Sequence, residues 1–368
     1  MGRKDGGSVE STPEGDANRE IGCNVLEQLR QLTSVDDITE LRDRLGAILS
    51  SLSDGRNDIL SECGETPPLT KSSLIRDIGQ IMRSRTIERA RYYLDRLIRE
   101  FTESRKMGIS DIDLNRWKEY GDIITDSLWL FKGRDRSGAH NGKYWGNFVP
   151  QIPYQLMRRF TKRGEWVLDP FLGSGTTLIE CRRQERNGIG VELDQEIARI
   201  AVQNIEKEKN TGNVVTAVVK GDSTSIDYAE LLGKFGIPSV QLVIMHPPYW
   251  DIIRFSNDER DLSNSPSAEH FLSRLSQISR NVAPFLDEGR YLALVIGDKY
   301  SGGEWIPLGF MAMNQVLPAG FRLKSIVVKN FDTTRGKMNR KELWRYRALA
   351  GGFYVFKHEY VFLFTRKG

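Results

Sequence analysis

The sequence predicts an α/β protein: a doubly wound, largely parallel sheet in the C-terminal part, preceded by a helical region. Three observations predict it. From about Tyr144 onward, short apolar runs alternate with amphipathic stretches, the order in which strands and crossover helices build a parallel sheet. Ahead of them, roughly residues 20–135 place apolar side chains at spacings of three and four, the helical period. The residues with chemical character fall just beyond the carboxyl ends of the apolar runs, where open α/β sheets bind their ligands.

Each element has a local reason. NVLEQLRQL, ITELRDRLGAILSSL and TIERARYYLDRLIREF carry the helical spacing, and Thr39 and Glu40, after two aspartates, mark a helix start. SECGETPPLTKSS reads as a linker between two helical parts. Seven runs read as strands: EWVLDP, GIGVEL, VVTAVVKGD, VQLVIMHPP, YLALVIGD, LKSIVVKN and HEYVFLF. The earlier ones are almost continuously apolar, as strands covered on both faces must be. TTLIECRRQER and QEIARIAVQNIEKEK supply crossover helices between them. The expected organisation is a disordered tail over 1–19, a helical region over 20–135 and a sheet domain over 136–368, with an insertion at about 330–357.

Composition narrows the class. Hydrophobic content of 39% and charged content of 28% suit a globular protein with a core, and no apolar run is long enough to span a bilayer. The start, MGRKDGGSVESTPEGD, has no apolar signal core, and Gly6 stands where a myristoylation signal has Ser or Thr. Cys23, Cys63 and Cys181 are isolated, so neither a disulfide framework nor a metal site is expected. The expected compartment is the cytoplasm, with no membrane partner. A formal net charge of +4 is mildly basic; its clustering says more than its total.

The sharpest local signal is Val167-Leu168-Asp169-Pro170-Phe171-Leu172-Gly173-Ser174-Gly175-Thr176-Thr177: a strand, a tight glycine turn and a helix start. Gly173 and Gly175 let backbone approach a ligand, and Thr176 and Thr177 can cap the helix. Glu192, at the end of the next strand, suits the paired ribose hydroxyls of a nucleoside cofactor. Asp222 ends the strand after that, placed for an adenine amino group. Each acid alone is as well explained by capping a turn; three at successive strand ends favour a nucleoside site. The turn lacks the third glycine of the dinucleotide fingerprint, and no GxxxxGK[ST] is present, which disfavours nicotinamide enzymes and P-loop ATPases.

The fourth strand ends Ile244-Met245-His246-Pro247-Pro248-Tyr249-Trp250. Two prolines remove two amide donors and hold the chain extended. Outward carbonyls beside an aromatic ring suit a planar base carrying an amino group.

DPFLGSGTT together with HPPYW resembles the amino-methylating DNA methyltransferases, which make N6-methyladenine or N4-methylcytosine, from about residue 144 to the C-terminus. The resemblance implies a Rossmann-like seven-stranded sheet whose last strand runs antiparallel, and S-adenosylmethionine as cofactor. Its site would use Asp169, Phe171, Gly173, Ser174, Gly175, Thr176, Glu192 and Asp222, with Asn147 and Pro150 of the upstream GNFVPQIP segment enclosing the methionine end. It implies a flipped base with Tyr249 stacked on it. His246 and the Pro247 carbonyl, ahead of Pro248, would accept from the amino group, whose nitrogen attacks the methyl directly; the alternative is a structural His246, with the amino group held by backbone carbonyls. No cysteine nucleophile is needed, so Cys181 is expected to pack a helix. The family usually has Asp, Asn or Ser at the position of His246; this departure blurs adenine against cytosine, and Trp250 leans towards cytosine. A neutral imidazole can accept and a protonated one cannot, so activity is expected to fall below about pH 6.5.

For nucleic acid, Trp250 and Arg254 follow the catalytic motif, and the insertion carries Arg335, Lys337, Arg340, Lys341 and Arg345 among aromatic residues, a mixture suited to phosphates and splayed bases. The same features also read as a solvated basic loop. The helical region reads as a recognition module, a clamp or a dimerisation element. The resemblance implies double-stranded DNA as partner and leaves open a cognate restriction endonuclease and a second copy of the chain. Two alternatives stand beside it: an RNA or tRNA guanine-N2 methyltransferase, and a non-catalytic DNA-binding subunit.

Overall fold

The structure is a computed structural model and describes residues 23–52, 59–63, 66–331 and 341–368; the expected tail over 1–19 lies outside them. The chain forms two compact units, 1–122 and 123–368. That break falls before the 135/136 boundary expected from the sequence, because residues 123–135 already contribute a strand to the second unit.

In the first unit, helix 23–31 is followed by α1 (Ile38–Leu52), the strands β1 (Ile59–Cys63) and β2 (Thr66–Thr70), α2 (Lys71–Met82) and α3 (Ile87–Thr102). Asp37 starts α1 by accepting from the amides of Thr39 and Glu40, while Thr70 and Thr86 cap α2 and α3. Leu41, Leu45, Leu74, Ile78, Leu94 and Leu97 recur on one face of each helix and close a common core, each burial contributing roughly 1.5–3 kcal/mol. Two expectations need correction here. The linker contains the antiparallel pair β1–β2, and beyond α3 the chain is mostly irregular rather than helical.

The second unit carries a sheet of eight strands. In chain order these are β3 (Leu128–Trp129), β4 (Trp166–Asp169), β5 (Asn187–Glu192), β6 (Thr216–Lys220), β7 (Val240–Met245), β8 (Leu286–Ile296), β11 (Phe321–Asn330) and β12 (His358–Arg366). A small separate pair, β9 (Lys299–Ser301) and β10 (Glu304–Ile306), precedes β11. The strand order is β3-β11-β12-β8-β7-β4-β5-β6. All seven expected strands form, and β12 runs antiparallel to both neighbours. The eighth, β3, pairs with the edge of β11 over two residues, too short to leave an alternating pattern in the sequence.

Helices α4 (Gln151–Phe160), α5 (Thr176–Arg183), α6 (Gln195–Glu206), α7 (Tyr228–Gly233), α8 (Ala268–Val282) and α9 (Leu308–Val316) cover the sheet, and α10 (Lys341–Gly351) lies in the insertion between β11 and β12. On α8, Phe271, Leu275, Ile278 and Val282 form one buried stripe packed with the strand residues Val243, Leu292 and Phe362. The chain moves outward from β4 through β5 to β6, then returns to the other side of β4 for β7 and β8. The reversal between β4 and β7 is a topological switch point, where an open α/β sheet leaves a crevice.

Gly190, inside β5, gives the strand room to lie under the glycine turn. A Cβ there would come within 2.5 Å of the Leu172 side chain. Gly190→Ala is therefore expected to lower stability by about 1–3 kcal/mol through overpacking, read as a lower urea midpoint at unchanged slope. Adding Leu172→Ala is expected to recover part of that loss, a non-additivity confined to contacting residues.

Candidate active site

The turn after β4 is held from below. Asp169 is fully buried, and its carboxylate accepts from the Phe171 amide at 2.9 Å and the Thr177 hydroxyl at 2.5 Å. Burial pushes its pKa up to about 7 against the pull of those two donors. The Leu172 amide donates to the Val191 carbonyl at 3.0 Å, fastening the turn to β5. Gly173 and Gly175 have φ of +55° and +95°, a region that side-chain-bearing residues seldom adopt. Gly175 occupies the helix cap position, where no side chain caps. Thr176 and Thr177 thus do not cap α5 as expected; Thr176 donates to the Asn147 side chain at 2.5 Å and Thr177 to Asp169. Asn147 donates in turn to Ser174 at 2.9 Å, tying the upstream segment to the turn.

One cavity sits in the crevice between the ends of β4 and β7. Asn147, Phe171, Gly173, Glu192, Asp222, His246, Pro247 and Pro248 all line it, though Asn147, Glu192 and Asp222 come from other strands and loops. Asp169, Ser174, Gly175, Thr176 and Pro150 do not reach its wall; they build the turn and the start of α4. Glu192 accepts from the Gly173 amide at 2.8 Å with one oxygen and from the Asp194 amide at 2.9 Å with the other. Burial raises its pKa and those amides oppose the rise. Each oxygen keeps a further lone pair, the requirement for receiving two vicinal hydroxyls. Asp222 is more committed than the sequence suggested: one oxygen accepts from the amide and hydroxyl of Thr224, and the other lies 3.6 Å from Arg274.

His246 stacks on Phe148, with ring centroids 4.7 Å apart, and meets Tyr249 edge-on at 5.6 Å. Its Nε2 lies 3.3 Å from the Tyr249 hydroxyl, which donates to Glu359 at 2.7 Å. Glu359 is paired with Lys329 at 3.0 Å. Burial holds the His246 pKa down to about 4, with Glu359 opposing and Lys329 and Arg134 assisting. Burial also raises the Tyr249 phenol far above its ordinary value. For Glu359, burial works upward, but Lys329 and the Tyr249 hydrogen bond leave its pKa lowered. The expectation that the imidazole protonates near 6.5 is therefore corrected: it was based on a solvated ring.

Tyr249 itself is turned from the cavity wall. Its ring packs against Gly297, where a Cβ would meet it at 3.0 Å. Trp250 has φ of +50° and its indole donates to the Ser265 carbonyl at 2.9 Å, with Lys299 over the ring at 3.8 Å. Arg254 is exposed and donates to the Ser256 carbonyl at 3.2 Å. Arg345 is exposed on α10; Arg335, Lys337 and Arg340 lie outside the described residues, and Lys341 begins α10. Sequence reasoning missed Phe148, Tyr144, Arg134, Lys329 and Glu359. Arg134 donates to the carbonyls of Asn147 and Phe148 at 3.1 and 2.8 Å. Burial lowers its pKa to about 10. Phe148 lies in the GNFVPQIP segment already singled out, whereas no local motif surrounds the other four, so only the fold brings them in. Cys181 is buried, with its thiol pKa pushed up by burial. Among the described residues no cluster of His, Cys, Asp or Glu could hold a metal, and no helix is long and apolar enough to cross a membrane.

Residues 85–203 match a family described as DNA methylase. The match contains the glycine turn and Glu192 and ends before His246. The type II methyltransferase M.MjaI of Methanocaldococcus jannaschii is 34% identical over 96 residues, 26% of this chain and 32% of that protein. M2.DpnII of Streptococcus pneumoniae is 34% identical over 103 residues, 27% and 35% of the two chains. The chain thus spans about a third of the length of these curated relatives. Among solved structures, TrmN from Thermus thermophilus aligns at 19% identity and a TM-score of 0.38 over 60% of this chain and 49% of that one, a likeness too distant to add to the strand order itself.

The buried imidazole gives a direct check. Because its pKa is lowered, His246 is neutral and able to accept above about pH 4. Ring-nitrogen NMR is expected to show a midpoint near 4, and the chemical step is expected to owe no inflection between pH 5 and 8 to this residue. A midpoint near 6.5 would show a solvated ring.

Proposed function

As a member of the amino-methylating DNA methyltransferase family, this chain, we propose, transfers a methyl group from S-adenosylmethionine to the exocyclic amino group of a base flipped out of duplex DNA. The observation that carries the reading is that one cavity is walled by both Glu192 and the His246-Pro247-Pro248 stretch. A nucleoside-binding carboxylate and a set of amino-group acceptors thus face the same space.

The residues suit the cofactor. Glu192 has two oxygens free to accept, one from each ribose hydroxyl. Leu193, Ile197 and Phe171 give the wall apolar area for a purine. The committed oxygens of Asp222 leave it the lesser role of orienting Thr224 and Arg274. When bound, S-adenosylmethionine supplies the electrophilic methyl group.

The chain's own part is to hold the amino nitrogen with its lone pair exposed. The Tyr249 hydroxyl donates its hydrogen bond to Glu359, so towards His246 it can only accept. This assigns the His246 proton to Nε2 and leaves Nδ1 as the acceptor, an assignment from the hydrogen-bond network. With the Pro247 carbonyl, Nδ1 would receive the amino hydrogens, a preorganised arrangement that needs no covalent enzyme intermediate. Glu359 acts as a positioning residue through Tyr249. The relatives' description as type II methyltransferases supports reading this chain as the modifying half of a restriction–modification pair.

Incubation with labelled cofactor and, in parallel, unmethylated genomic DNA or tRNA, followed by nucleoside mass spectrometry, is expected to yield N4-methylcytosine or N6-methyladenine in the DNA; label found only in tRNA guanine would overturn the DNA reading. Tyr249→Ala is expected to reduce transfer by about tenfold or more, as loss of the hydrogen bond that fixes the His246 tautomer does, without changing cofactor affinity. Tyr249→Phe, which removes the same hydroxyl, is expected to show a comparable loss; full retention of activity would move the role from the hydroxyl to the ring. Glu192→Gln is expected to weaken cofactor binding by about tenfold or more, as loss of a charge-assisted acceptor does, measured by titration calorimetry.

A further inference from the structure

The structure assigns a second polyanion-binding site to the helical unit: we infer that the cleft at the start of α3 grips the phosphodiester backbone of duplex DNA, through residues distinct from those of the methyl-transfer cavity. The inference rests on the proposed DNA substrate and says which part of the helical unit meets it. The cleft, about 920 Å³, is open to solvent and too large for a single ion to fill. Its wall carries Arg76, Arg83, Arg85, Arg89 and Lys118 against one carboxylate, Asp77. Five positive charges less one negative leave an excess of four, as large as the net charge of the whole chain.

Not all of these charges are spent internally. Lys118 is paired with Asp77, and Arg76 lies 3.6 Å from Glu119. Arg83, Arg85 and Arg89 are exposed and form no ion pair among the described residues. Like charges gathered this closely repel one another, and nothing in the fold of the unit requires them there, since its core is the apolar face of the helices. The set is four arginines to one lysine, and the guanidinium fork suits phosphate oxygens. Arg89 is held in place rather than waving in solvent: it donates to the Tyr93 hydroxyl at 2.7 Å and lies 4.7 Å from that ring's centroid. The amino end of the sixteen-residue α3, capped by Thr86, opens into the same cleft and adds its positive dipole end. Trp117, 60% exposed on the rim, offers an apolar face to deoxyribose.

Backbone contacts of this kind position DNA without reading sequence, and each neutralised phosphate adds about 0.9 to the slope of log affinity against log salt. The test is fluorescence anisotropy of the full chain with a labelled duplex over a salt series. The triple variant Arg83→Ala/Arg85→Ala/Arg89→Ala is expected to lose about two to three from that slope. Its affinity at moderate salt is expected to fall about tenfold or more, equally for unrelated duplex sequences. Cofactor affinity should be unchanged. The triple Arg→Lys variant, which keeps the charge, is expected to restore most of the slope; failure to restore it would assign the residues a structural role and overturn the inference. A wild-type slope in the alanine variant would overturn the cleft assignment alone. Absence of duplex binding by the wild-type chain at low salt would overturn the DNA reading as well.

Discussion

The site depends on one constraint: the turn after β4 must fold back over β5 closely enough for the Gly173 amide to reach Glu192. Three features make that geometry available. Gly173 and Gly175 adopt positive φ. Gly190 leaves space beneath Leu172. Asp169 receives the Phe171 amide and the Thr177 hydroxyl below the turn. The buried carboxyl is an expensive anchor, because burial disfavours its charge, yet without an acceptor there the turn would leave two buried donors unmet. Asp169 therefore shapes the turn from below without reaching the cavity, whereas Glu192 both shapes the turn and faces the cavity.

A second set of linked residues sits across the crevice, on β7, β11 and β12. Lys329 and Glu359 pair across adjacent strands, Glu359 accepts the Tyr249 hydrogen bond, and Tyr249 accepts beside His246. A buried charge pair is seldom a large source of stability, but removing one partner strands the other. Here the pair carries a directional consequence: a fixed acceptor at one end of the chain of hydrogen bonds specifies the proton position at the other. The two prolines between His246 and Tyr249 narrow the backbone freedom that would otherwise loosen this chain.

The fold was legible in the sequence because its signals are local. Buried strands leave runs such as VQLVIM, crossover helices leave spacings such as those of α6, and a glycine turn between strand and helix is contiguous. The insertion also announced itself by its length between β11 and β12. What stayed hidden was non-local or too short. β3 has two residues and pairs with a strand far along the chain. Glu359 reads as the start of an ordinary edge strand, and only the antiparallel placement of β12 beside β8 brings it under Tyr249. Arg134 lies in an irregular segment whose role is to receive two carbonyls of the 147–148 loop. The electrostatic misjudgement of His246 has the same origin: sequence supplies the residue type, and burial supplies the shift.

His246 itself departs from the Asp, Asn or Ser expected of the resemblance, and its surroundings give the departure a physical sense. With Glu359 buried one hydroxyl away, an aspartate at 246 would put a second carboxylate into the same low-dielectric pocket, and like charges there drive one group to hold a proton. A neutral imidazole avoids that conflict and still presents an acceptor. Its greater size needs a flat partner, which Phe148 supplies at 4.7 Å. Burial then keeps it neutral across the physiological range, and the Tyr249–Glu359 link selects the useful tautomer. His246, Phe148 and Glu359 thus form a set in which each residue makes the others workable, and reverting His246 alone to an acid would break the set rather than restore a more familiar site.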